Sequence, residues 1–230
     1  MQRARESFSP HDVAESKFWF SAREGLTNVG GKASAWEDVI GGFVAAQSDD
    51  ARRPTISGDS LLCTPAKRLI NTADNIFTSG EARYLLFAFQ SNAADTGGRL
   101  MTFRIDGTGG AQWAFGVSFF GGIIYYFTDS IANNVNDGAS WDITQPSIVE
   151  IEAISGGTPV VRVNGATRGV GGALMLNDEG STGFIIGAST TVDNGLDGTI
   201  WDEYGATPIP SVSDKGKLRS YFAALNGVTL

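Results

Sequence analysis

The dipeptide Asn164-Gly165 sits between apolar runs, with residues 148–154 and 159–163 before it and 183–188 and 196–204 after it. Both residues tolerate positive φ, so Asn-Gly between alternating apolar segments is the strongest short-range sign of a β-hairpin. A ladder of such strands followed by a single helical segment predicts an all-β chain, an antiparallel β-sandwich. That architecture points away from most catalytic folds.

The rest of the chain reads the same way. Many of its 30 glycines sit in pairs between apolar runs, which is turn punctuation for many short strands. Residues 17–22 read as a strand, and Trp36-Glu37-Asp38 begin another extended piece. Residues 47–54 are polar, and 61–76 have no clean period, so irregular structure with one short strand or helical turn is expected there. Residues 84–90 are apolar on both faces, Leu85, Phe87 and Phe89 opposite Tyr84, Leu86 and Ala88, as in a central strand covered twice. Strands are also expected over 99–106, 112–120 and 123–128, with Trp113 in the core.

Residues 129–142 are rich in Asn and Asp and read as a long loop. Pro208 and Pro210 end the last strand. Leu218, Tyr221, Phe222 and Leu225 then recur at helical spacing, with Ser211 or Ser213 as cap and Gly227 as stop. The expected organisation is a flexible arm over 1–7 and one domain over 8–230, its helix at 213–226. No internal repeat or linker divides the chain.

Composition excludes several functions. The net charge is −8, and the only local basic excess is Arg3 and Arg5. Nucleic acid, which needs clustered cations, is therefore not an expected partner. The apolar runs are too short to cross a bilayer, so membrane insertion is not expected. The charged first residues carry no apolar export signal, so synthesis in a cytoplasm without signal-directed export is expected. A single cysteine, Cys63, permits no internal disulfide.

Three stretches resemble a known family. Phe18-Trp19-Phe20-Ser21-Ala22, then Ala35-Trp36-Glu37-Asp38, then Arg53-Pro54-Thr55 resemble the opening of concanavalin A-like, laminin-G-like jelly rolls. Val149-Glu150-Ile151 through Val161-Arg162-Val163-Asn164-Gly165 resemble the family's paired strands ending in V-N-G. Phe184-Ile185-Ile186-Gly187 and Leu196-Asp197-Gly198-Thr199-Ile200 resemble its closing segments. The resemblance implies a jelly-roll sandwich. Its opening and terminal helix are most similar to structural modules of tailed phages. One departure stands out, because Asp202, Glu203, Pro208 and Pro210 interrupt the place of an apolar final strand.

Catalytic chemistry is sparse. Glucanases on this fold carry E-x-D-x-x-E on one strand, whereas here only Glu150-Ile151-Glu152 occurs and no third acid follows. The preferred reading of these two acids is a solvated sheet face. His11 is the only histidine, in an N-terminal turn, and nothing places it beside Cys63. Gly107-Thr108-Gly109-Gly110 is not followed by a helix and reads as a hairpin turn. No catalytic residue is assigned.

Binding is better supplied. Tyr125, Tyr126 and Trp141 flank the polar segment that carries Asp129, Asn133, Asn134, Asn136 and Asp137. Aromatic faces with amide and carboxylate partners suit sugar hydroxyls. Asp193, Asn194 and Asp197 supply hard oxygen atoms, and calcium is the one cofactor they suggest. The expected function is a non-enzymatic protein of a phage or phage-like virion surface that contacts host polysaccharide through its loops. The alternative is a purely structural capsid decoration or tail module, and a glycoside hydrolase ranks last. Other virion proteins are expected partners, as is a homo-oligomer on the particle.

Overall fold

Strand β8 (Arg83–Ser91) organises the molecule, because it is buried on both sides. Leu85, Phe87 and Phe89 enter one apolar cluster, while Tyr84, Leu86 and Ala88 enter a second. The central, doubly covered strand expected from the sequence is therefore present. The computed structural model describes residues 8–78, 80–92, 98–105, 112–120, 123–128, 135–136, 141–154, 157–168, 183–188 and 195–230. The arm over 1–7 lies outside them.

On one side β8 pairs with β13 (Ser147–Ala153), which pairs with β14 (Val160–Val163) and through it with β15 (Ala166–Thr167). On the other side it pairs with β17 (Gly198–Ala206). The far edge of β17 takes β6 (Ser60–Cys63) on its first residues and β1 (Ser16–Ser21) on its last. These strands form the first layer. The second runs β2 (Leu26–Val29), β3 (Lys32–Glu37), β4 (Val44–Ala46), β7 (Leu69–Asn71), β16 (Gly183–Ile186), β9 (Gly98–Ile105), β10 (Gln112–Phe120), β11 (Ile123–Thr128) and β12 (Val135–Asn136). Strand β5 (Thr55–Ser57) pairs with both β3 and β6 and ties the layers together. Every pairing is antiparallel, so the expected fold class holds.

The main core lies between the layers. Phe18, Phe20, Phe87, Phe89, Val149 and Ile151 meet Trp36, Met101, Phe103, Phe184 and Ile186 there. The second core covers the outside of the first layer, where helix α1 (Val212–Asn226) lays Leu218, Phe222 and Ala223 over Trp19, Tyr84, Leu86, Ile148 and Tyr204. Ser211 is the cap, its Oγ accepting from the Asp214 amide at 3.1 Å, and Gly227 closes the helix at φ 66°. Each fully buried Leu or Phe contributes roughly 1.5–3 kcal/mol. Packing, rather than the intrinsic propensity of a 15-residue segment, therefore holds α1 in place.

The Asn164-Gly165 turn joins β14 to β15, with φ at 49° and 80°. A Cβ on Gly165 would also meet Arg219 Cδ at 3.3 Å. Gly165→Ala is expected to lower stability by about 1–2 kcal/mol, the cost of a left-handed non-glycine residue, measured by urea denaturation. A loss near zero would show that the turn relaxes without strain.

Several expectations need correction. Residues 61–76 are mostly irregular as expected, but they hold two short strands, the end of β6 and all of β7, rather than one. Trp36 lies near the end of β3, and Asp38 belongs to the turn after it. The sequence reading passed over β2, although Gly30-Gly31 marks its hairpin with β3 at φ 63° and 82°. Segment 129–142 is not wholly loop, because Val135–Asn136 pairs with β11. Most important, Asp202 and Glu203 do not interrupt the last strand. Strand β17 runs through both, and both are fully buried. A bulge between Ile200 and Asp202 turns Asp202 toward the helix and Glu203 toward the main core.

Candidate binding rim

The end of β8 gathers segments that are far apart in the chain. The Ser91 amide donates to the Ile143 carbonyl at 2.8 Å, and Gln90 Nε2 donates to the Thr144 carbonyl at 2.6 Å. The next residue reaches the other way. The Asn92 amide donates to the Asp197 carbonyl at 2.8 Å, and Asn92 Nδ2 donates to Asp197 Oδ1 at 2.9 Å. The roots of the Trp141 segment and of the Asp197 segment thus leave the sandwich at one rim. The Asn164-Gly165 turn stands at the same end, since Asn164 Oδ1 accepts from the Ile148 amide at 2.8 Å.

The individual candidates fare differently. Trp141 is half-buried, packs against the main core, and donates from Nε1 to Ser147 Oγ at 3.2 Å. Asp197 is half-buried, and its carboxylate is engaged by Asn92. Tyr125 and Tyr126 lie on β11 and Asn136 on β12. Asp129, Asn133, Asn134, Asp137, Asp193 and Asn194 lie outside the described residues, as do the Trp113 side chain and residues 107–110. Among the described residues no cluster of three His, Cys, Asp or Glu side chains suits a metal ion. Beside Trp141, the exposed Asp142 accepts from the Thr144 hydroxyl and amide, which hold its carboxyl below the usual carboxylate range.

The Glu150–Glu152 pair is not a solvated face. Both side chains point from β13 toward α1. Glu150 is fully buried, accepts from Tyr84 Oη at 2.7 Å and is gripped by the Arg219 guanidinium, whose Nη2 donates at 2.9 Å. Glu152 is held by Lys215 at 2.7 Å and by Arg162. Burial pushes the Glu152 carboxyl up, but its hydrogen bonds to Lys215 and Arg162 outweigh that and leave it below the usual range. A hydroxyl beside a carboxylate is a nucleophile–base pattern. Here Tyr84 and Glu150 both lie sealed under the helix, where substrate does not reach.

A second clamp holds the other end of α1. Asp202 accepts from Asn226 Nδ2 at 2.9 Å, Arg23 Nη1 at 3.2 Å and Trp19 Nε1 at 3.0 Å. Sequence reasoning missed both clamps, although the spacing carries the first. Two acids two apart on a strand are about 7 Å apart, and two cations four apart on a helix are about 6 Å apart. His11 packs against Trp19 at 5.9 Å on the helix side of the first layer, whereas Cys63 faces the main core. The two therefore form no nucleophilic pair.

Phe8, Ser213, Gly216, Lys217, Ser220 and Tyr221 line an open groove of about 500 Å³ between the N-terminal turn and the exposed side of α1. Phe8 meets Tyr221 edge-on at 6.1 Å.

No family model matches the sequence, and no curated protein does. Solved structures do resemble the fold. Trypanosoma rangeli sialidase in complex with sialic acid superposes with a TM-score of 0.66 at 13% identity, over 94% of this chain and 34% of the sialidase. The binding domain of botulinum neurotoxin serotype D/C gives 0.63 at 14% identity, over 93% of this chain and 53% of that one. The binding domain of botulinum neurotoxin DC in complex with rat synaptotagmin II gives 0.62 at 13% identity, over 93% and 52%. The chain therefore spans about a third of the sialidase and about half of the toxin domains. At these identities the likeness is one of fold, a β-sandwich of the concanavalin and jelly-roll type.

Proposed function

We propose that this chain is a non-catalytic recognition module that binds a glycan at the rim where the Trp141 and Asp197 segments converge. The observation that carries this reading is the hydrogen bonding of Ser91 and Asn92, which brings an aromatic flank and an Asn–Asp pair together on a rigid scaffold. The sialidase solved with sialic acid and the toxin binding domain are consistent with recognition by this fold. The burial of Glu150 beneath α1 weighs against a hydrolytic role for the most acidic strand. In this proposal the domain sits on the surface of a phage-like particle, as an oligomer among other virion proteins, a reading supported only by the resemblance of the opening and the terminal helix to phage modules.

A second reading, a module that contacts protein, has one observation in its favour. A neighbour of similar TM-score was solved on rat synaptotagmin II. A glycan array with bacterial surface polysaccharides separates the two. The expected result is capture of at least one polysaccharide, weakened more than tenfold by Asn92→Ala combined with Trp141→Ala while the melting temperature stays within a few degrees. Undiminished binding in that variant would remove the rim assignment. A blank array together with pull-down of a particle protein would favour the second reading.

A further inference from the structure

We propose that Glu203 is an internal proton lock: the folded sandwich keeps this carboxyl protonated, and loss of the proton as pH rises loosens the packing between the layers. Glu203 is fully buried on β17, and its register partners on the neighbouring strands are Phe20 of β1 and Phe87 of β8, both members of the main core. Among the described residues neither Oε atom has a hydrogen-bond partner. An ionised carboxylate here would meet no donor among the described residues and would lie fully buried against apolar neighbours, so the group takes a proton instead.

The charged and titratable neighbours do not change this. Cys63 on β6 faces the same core, and burial pushes its thiol up, so it stays neutral beside the acid. Arg83 lies on the same face of β8 but four residues from Phe87, with its guanidinium over Phe77 at 5.4 Å and a bond to the Thr78 carbonyl. Asp38, on the turn beside β1, is engaged among the described residues by four backbone amides. Asp202 is adjacent in sequence but points to the helix side, where Arg23 meets it. The bulge at Trp201 makes this arrangement, because a regular strand would send Asp202 inward and Glu203 outward.

Burial holds the Glu203 carboxyl far above the usual carboxylate range. The sign follows. The folded state binds a proton that the unfolded chain releases, so this contribution is fully present below the ordinary carboxylate range and is lost as pH rises above it.

The test compares urea unfolding of the full chain and of Glu203→Gln in steps between about pH 5 and about pH 9. The ratio of the wild-type unfolding constant to that of the variant is expected to rise by up to about tenfold per pH unit across that window. A ratio that stays constant would overturn the proposal. If Glu203→Gln does not fold, infrared spectra of wild-type protein carrying 13C only in its Glu carboxyls take its place. A protonated carboxyl band at neutral pH that disappears on unfolding is expected, and its absence in the folded protein overturns the lock.

Discussion

Replacing Arg219 with alanine is expected to lower the unfolding free energy by about 3 kcal/mol, the lower part of the range for breaking a buried ion pair. Glu150 has no exposure, and Arg219 supplies two of its hydrogen bonds, with Tyr84 supplying another. Truncation leaves a carboxylate sealed between β13 and α1 with one phenol for company. The Arg219 side chain keeps 23% exposure, so water softens the loss and sets the value below the top of the range. Urea denaturation followed by far-ultraviolet circular dichroism measures it. The double variant Arg219→Met with Glu150→Met removes both charges and is expected to recover most of the loss. A single-variant cost under about 1 kcal/mol would place this pair among solvated surface bridges. Lys215→Ala is expected to act more weakly, because Glu152 keeps Arg162. Its Glu152 is held below the usual range, so that contribution is present at neutral pH and is lost as pH falls through the acid range.

Asp38→Ala is expected to cost a similar or larger amount, about 3–4 kcal/mol. The Asp38 carboxylate is 4% exposed and accepts four backbone amides: Trp19 at 2.8 Å, Ile40 at 2.8 Å, Gly41 at 3.0 Å and Phe43 at 2.9 Å. Those bonds hold the β3–β4 turn against β1. Each stranded buried amide carries roughly 1–3 kcal/mol, and the turn amides that open to water carry the least. Asp38→Asn keeps one acceptor and turns a donor toward another amide, so it is expected to fall between wild type and alanine. Thermal unfolding of the three proteins checks the order, and an Asp38→Ala protein as stable as wild type would remove this carboxylate from the fold's supports.

The fold was legible where side-chain period and burial agree. Strand β8 announced two covered faces through its unbroken apolar run, and the Asn164-Gly165 turn fixed a hairpin by backbone geometry alone. Helix α1 was legible from Leu218, Phe222 and Gly227. Charge misled the reading in two places. Glu150 and Glu152 looked like a wet face because a strand cannot show that a helix far along the chain carries matching cations. Asp202 and Glu203 looked like a strand end because a bulge breaks the period of two and because a lone buried acid is rare. The rim was legible only as composition. The meeting of the Trp141 and Asp197 segments depends on Ser91 and Asn92, neither of which carries a binding signature.

Those two residues also bear on how this scaffold tolerates change. Because backbone hydrogen bonds at the tip of β8 pin the roots of both segments, the chain between the roots can lengthen or be exchanged with little added closure entropy and no disturbance to the apolar interior. Homologues should diverge first there in sequence and in length. The same stretch is the natural place to graft a foreign loop when a sandwich of this kind is to be given a new specificity.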